Sequence, residues 1–115
     1  MPNTKQNILD FKNKTVFLSG PMTGYPEYNK EAFYTMEMKF RESGFASVKN
    51  PIHIGEKFGF DQEYNFYLKK SLSMLLEADA VYVFGDYSRS KGVKCEMEVA
   101  NKVGIPLFLE EYDPL

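Results

Sequence analysis

One carboxylate stands out by its placement. Between Gly92 and Val103, Lys94, Glu98 and Lys102 recur at i, i+4 and i+8, a solvent-facing charge ladder. Glu96 does not belong to it. At about 100° per residue it shares a face with Val99, Ala100 and Val103, the apolar stripe of the same helical segment. A carboxylate on a core-facing stripe costs free energy unless neighbours satisfy it. Near a helix N-terminus, exposed N–H groups and the macrodipole favour its ionised form. An ionised carboxylate at a binding edge can act as a nucleophile. The same placement suits a structural acid bonded to backbone N–H groups of a nearby loop. Periodicity leaves both open.

The rest of the chain offers few other reactive groups. One cysteine, Cys95, cannot form an internal disulfide, and one histidine, His53, cannot build a zinc site with it. Fourteen Lys and Arg against 16 Asp and Glu give a net charge of -2, which argues against wholesale binding of a nucleic-acid backbone. No apolar run is long enough to cross a bilayer. The opening MPNTKQNILDFKNK has lysines with no apolar stretch behind them, so no secretory signal is expected. A cytosolic location and no membrane partner follow as expectations.

Positioning Glu96 is a task for one domain. The 115 residues divide into an N-terminal arm, 1–13, and a single domain, 14–115. Thr15 to Ser19 is apolar on both faces, as an interior strand of a parallel sheet would be. The Gly- and Pro-rich segment 20–28 reads as a loop. Asn29 is placed to cap a helix over 30–43, carried by Phe33, Met36 and Phe40. A strand over 45–48 follows, then a loop over 52–60. Asp61 is placed to cap a helix over 62–77, whose stripe of Tyr64, Tyr67, Leu68, Leu72, Leu75 and Leu76 encloses Ser71. Strand 80–84, loop 85–91, helix 92–103 and an edge strand 105–109 containing Pro106 complete the chain. This alternation predicts an α/β fold: a parallel sheet of four to five strands with helices on both faces, Rossmann- or flavodoxin-like. Ligands of such sheets bind beyond the carboxyl ends of the strands. Loops 20–28 and 85–91 are therefore the ones to watch.

The stretches TVFLSGPMTG, with YPEYN after it, and LLEADAVYVFGDYSRSKGVKCEMEVANKVGIPLFL resemble small phage and bacterial proteins related to the nucleoside 2-deoxyribosyltransferases. The resemblance spans about residues 14–109. Its better-studied members are nucleoside 2-deoxyribosyltransferases and 2'-deoxynucleoside 5'-monophosphate N-glycosidases. It implies that Glu96 attacks the anomeric carbon of deoxyribose and expels the base, with a second group handling the proton. The glycosyl-enzyme then passes to another base or to water. Ser90 occupies the position at which the monophosphate-cleaving relatives contact the 5'-phosphate, with Ser88, Arg89, Lys91 and Gly92 nearby. A capping serine in a solvated turn is the alternative for Ser90. The resemblance puts Ser19, Gly20, Pro21, Met22, Thr23 and Gly24 around the sugar and base, where Tyr25 and Tyr28 could stack. It implies no metal or organic cofactor, a nucleotide or nucleoside as small-molecule partner, and a homo-oligomer.

Two positions depart from the pattern. Phe17 stands where relatives carry a tyrosine that orients the glutamate, and Ser71 where they carry an aspartate that assists at the base. Ser71 is a weak acid–base group. Asp79 lies at the wrong end of its strand, whereas Asp86 lies at the correct end and is the candidate proton donor. Two functions are therefore expected from this pattern. One is an N-glycosidase or deoxyribosyltransferase working through a glycosyl-glutamate. The other is a catalytically weakened nucleotide-binding protein with the same pocket.

Overall fold

The computed structural model describes residues 6–115. Strands β1 (Thr15–Ser19), β2 (Ser47–Lys49), β3 (Ala80–Val83) and β4 (Leu107–Leu109) form one sheet in the order β2-β1-β3-β4. Every pairing is parallel: Thr15 aligns with Ser47, Val16 with Ala80, Ser19 with Val83, and Val81 with Leu107. The expected α/β class and the interior place of β1 both hold. Pro106 precedes an edge strand, which tolerates its missing donor. Helices α1 (Lys30–Glu42), α2 (Ile52–Phe58), α3 (Tyr64–Leu76) and α4 (Lys91–Val103) complete the architecture. Among the described residues no helix is long and apolar enough to cross a membrane.

Strand alternation divides the core. Val16 and Leu18 face one way and pack with Phe33, Met36 and Phe40 of α1. Phe17, Val81 and Val83 face the other way, against Leu75 of α3 and Val93 and Ala100 of α4. Ser19, two residues past Phe17, is carried to the α4 side. The segment expected as an arm is docked where it is described. A 3-10 turn at Ile8–Phe11 buries Ile8 and Phe11, and Phe11 meets the Phe108 ring edge-on at 5.4 Å. Residues 1–5 of that arm lie outside the described residues.

Three local expectations change. Residues 52–60, expected as a loop, contain α2. Its seven residues are too few for a periodic pattern to register. Asn50 starts it: the buried amide accepts from Ile52 N–H and donates to the Phe33 carbonyl and to Glu37. Gly55 is required there, because a Cβ would overlap the ring of Phe60. Neither expected cap forms. Asn29 has a left-handed φ of 63° and sends its amide to the Pro21 carbonyl at 2.9 Å. Asp61 precedes Glu63, the residue at the α3 N-cap, and no side chain caps that helix. Gly55→Ala should lower unfolding free energy by about 1–3 kcal/mol, since the Phe60 ring must move. Urea denaturation of the variant against wild type measures this.

Candidate functional site

The core-facing stripe of α4 runs through Val93, Glu96 and Ala100. Val103, expected on that stripe, is exposed. Glu96 is only 6% exposed. Its Oε1 accepts a 2.6 Å hydrogen bond from the Ser19 hydroxyl at the end of β1. The strand therefore delivers a donor to the carboxylate even though Phe17, fully buried on the same face, has none. Burial pushes the Glu96 carboxyl up to about 7, while the Ser19 hydroxyl pulls it down. This corrects the expectation that the helix terminus keeps it ionised. Glu96 is the sixth residue of α4, and the dipole effect fades within the first turn.

Glu96 opens onto a cavity of about 640 Å³ beyond the carboxyl ends of β1 and β3, within the usual range for small-molecule sites. Gly20, Met22 and Thr23 line it from the loop after β1, and Arg89, Ser90, Lys91 and Gly92 from the start of α4. Ser71 lines it from α3, together with Tyr64, Tyr67 and Leu68. Ser71 donates its proton to the Leu68 carbonyl at 3.1 Å. Ser90 caps α4, its Oγ accepting from Val93 N–H at 3.2 Å. That bond uses the oxygen as acceptor and leaves the hydroxyl proton able to reach a ligand.

Five expected site residues lie outside the cavity lining, among them Ser19, which is fully buried and meets Glu96 instead of a ligand. Asp86 and Ser88 line a separate hollow with Gly85, Tyr87, Glu110 and Glu111, which shares no residue with the Glu96 cavity. The Ser88 hydroxyl and N–H both donate to Asp86 Oδ1, at 2.6 and 3.1 Å, and hold its carboxyl below its ordinary value. Exposed and held ionised, Asp86 is unsuited to donate a proton to anything bound beside Glu96. Pro21 is buried and accepts from Asn29. Gly24 is exposed outside the cavity lining. Gly20 does line the cavity, but it is glycine for the core's sake: a Cβ there would stand 2.5 Å from the Phe84 ring.

The fourth wall could not be read from periodicity. Pro51, Ile52, Ile54 and Gly55 bring α2 to the cavity, and Phe60 and Gln62 follow. The Asn50-Pro51 pair was the available signal, an acceptor side chain before a proline at a helix start. His53 points away from this wall and bonds Glu37 at 2.9 Å and Glu56. Tyr28 lies across the cavity from the loop side. Its ring stacks on Phe60 at 5.2 Å and 11°, and its hydroxyl donates to the Phe60 carbonyl at 3.1 Å. Glu27, Tyr28 and Asn29 hold successive φ values of 50°, 58° and 63°, a left-handed run unusual for residues other than glycine. The Asn29–Pro21 bond and the Tyr28–Phe60 stack over-determine that strained turn.

Residues 14–109 match the family described as Domain of unknown function (DUF4406). Curated protein sequences give no match. Among solved structures the chain is similar to the 2-deoxyribosyltransferase of the psychrotolerant bacterium Bacillus psychrosaccharolyticus. The TM-score is 0.66 at 20% identity, covering 83% of this chain and 70% of that one. With the match running from β1 to the end of β4, the chain belongs to the DUF4406 family, and it shares its fold with that deoxyribosyltransferase structure.

Proposed function

We propose that the protein cleaves or transfers the N-glycosidic bond of a deoxynucleotide or related nucleotide, with Glu96 as nucleophile. One observation carries this reading: a single carboxylate, aimed by Ser19 and nearly sealed from solvent, opens into the cavity at the carboxyl edge of the sheet. In the first step a Glu96 oxygen forms a bond to C1' and the C1'–N bond breaks, its electron pair leaving with the base. Among the described residues no second carboxylate lines the cavity. The departing base therefore takes its proton from solvent at the cavity mouth. Water or a second base then attacks C1' from the opposite face and releases Glu96, so configuration at C1' is retained.

The cavity suits such a ligand at both ends. Arg89, Lys91 and Ser90 gather positive charge and donors at the start of α4, where a 5'-phosphate finds N–H groups as well. Met22, Ile52, Ile54, Phe60 and Tyr28 supply apolar and aromatic surface for a base. The fold shared with a deoxyribosyltransferase supports the same reading. Incubation with the four common deoxynucleoside monophosphates, followed by chromatography, should show free base.

A second reading has its own support. Phe17 supplies no hydroxyl, Ser71 spends its proton on Leu68, and burial leaves Glu96 only partly ionised near pH 7. These features favour a nucleotide-binding protein with slow turnover. In that case no base is released, while nucleotide at 100 times Kd stabilises the fold by about 2.7 kcal/mol. The melting temperature with and without nucleotide separates the two readings. A protein that neither releases base nor gains stability overturns both.

A further inference from the structure

We propose that Tyr64 is a specificity-determining residue of this cavity, its hydroxyl donating to the sugar end of the bound nucleotide beside the start of α4. The inference rests on the nucleotide reading of the cavity and adds to it a residue that the sequence placed only on an apolar stripe. The cavity's other aromatic hydroxyls are already committed. Tyr67 donates to the Gly59 carbonyl at 2.6 Å and accepts from Gln62 N–H at 2.9 Å. Tyr28 donates to the Phe60 carbonyl at 3.1 Å. A phenol has one proton to give, and theirs is given to the protein. Tyr64 also lines the cavity, yet among the described residues its hydroxyl has no hydrogen-bond partner.

Its position decides which part of a ligand it meets. Tyr64 opens α3 and lies two turns before Ser71 on the same face. Its hydroxyl oxygen is 3.8 Å from the point where a Cβ on Gly92 would stand. That places it over the first turn of α4, one turn before Glu96. Desolvation, together with Cys95 and the charge of Glu96, raises its pKa, so the phenol stays protonated as a donor. A sugar with C1' at Glu96 and its exocyclic oxygen toward Ser90 passes beneath this hydroxyl. The base then meets the apolar wall of Ile52, Ile54 and Phe60.

Calorimetric titration with the four deoxynucleoside 5'-monophosphates and with their free bases tests this. Tyr64→Phe, which keeps the half-exposed ring, should weaken nucleotide binding about 10-fold, the loss expected for one hydrogen bond to an oxygen-rich ligand. Free-base binding should not change, and KM should rise at constant kcat if turnover occurs. A purely structural role would instead lower nucleotide and base binding together. Tyr64→Phe binding nucleotide as wild type does overturns this proposal and leaves the nucleotide reading standing. Wild type that binds none of the four nucleotides overturns both.

Discussion

Glu96→Ala should lower base release by about 10⁴-fold or more, the scale of loss when a nucleophile is removed from an otherwise intact site. The cavity has no other carboxylate among the described residues to take over the attack. Ser19 and Ser71 would remain, but neither is paired with a base that could activate its hydroxyl. Glu96→Asp keeps the charge and withdraws it by one methylene, which should cost about 10²-fold through misplacement alone. The wild-type pH profile provides an internal check. Attack needs the ionised carboxylate, and burial sets its pKa at about 7. Below that value the rate should fall about tenfold per pH unit. Chromatographic rates across pH 5–9, for wild type and both variants, measure all three effects. Base release by Glu96→Ala at the wild-type rate would remove Glu96 from the mechanism.

Glu96→Gln should produce a large stability change in the opposite direction, and only at high pH. The ordinary value for glutamate is 4.5, and in the folded protein it is about 7. A raised carboxyl pKa means that the folded state holds the proton more tightly than the unfolded chain. Its stabilising contribution is therefore complete below pH 4.5 and is lost as pH rises through about 7. Above that, the buried anion costs about 3 kcal/mol relative to the neutral form. Glutamine stays neutral throughout and still offers Oε1 to the Ser19 hydroxyl. The variant should match wild type near pH 4 and exceed it by about 3 kcal/mol at pH 8, roughly 10 °C in Tm. Melting curves at both pH values give the answer; an equal gap at the two would mean that the carboxyl does not titrate across this range. Together with the first prediction, the result would show a site held at the expense of stability.

Much of the architecture was legible along the chain. β1 and β3 were continuous apolar runs, α1 and α4 had clear 3.6-residue stripes, and Gly and Pro marked the loops between them. Those patterns reflect burial on one or both faces, which each segment encodes locally. Glu96 was legible for the same reason, as a charge on a stripe that otherwise faces the core. α2 was not, because seven residues around a glycine hold no periodic signal. Asn29 and Asp61 have side chains of capping type, yet tertiary contacts redirected the first and the turn before α3 bypassed the second.

Residue type and spacing were thus sufficient to establish a parallel α/β sheet, the edge where a ligand would sit, and one misplaced acid beside it. Only the folded molecule decided the rest. It set Ser19 on Glu96 across 77 positions of sequence, turned Asp86 out to solvent, and brought α2 and Tyr64 to the cavity. It also raised the Glu96 pKa instead of lowering it, because desolvation depends on every element packed around a group, whereas a helix dipole can be read from one.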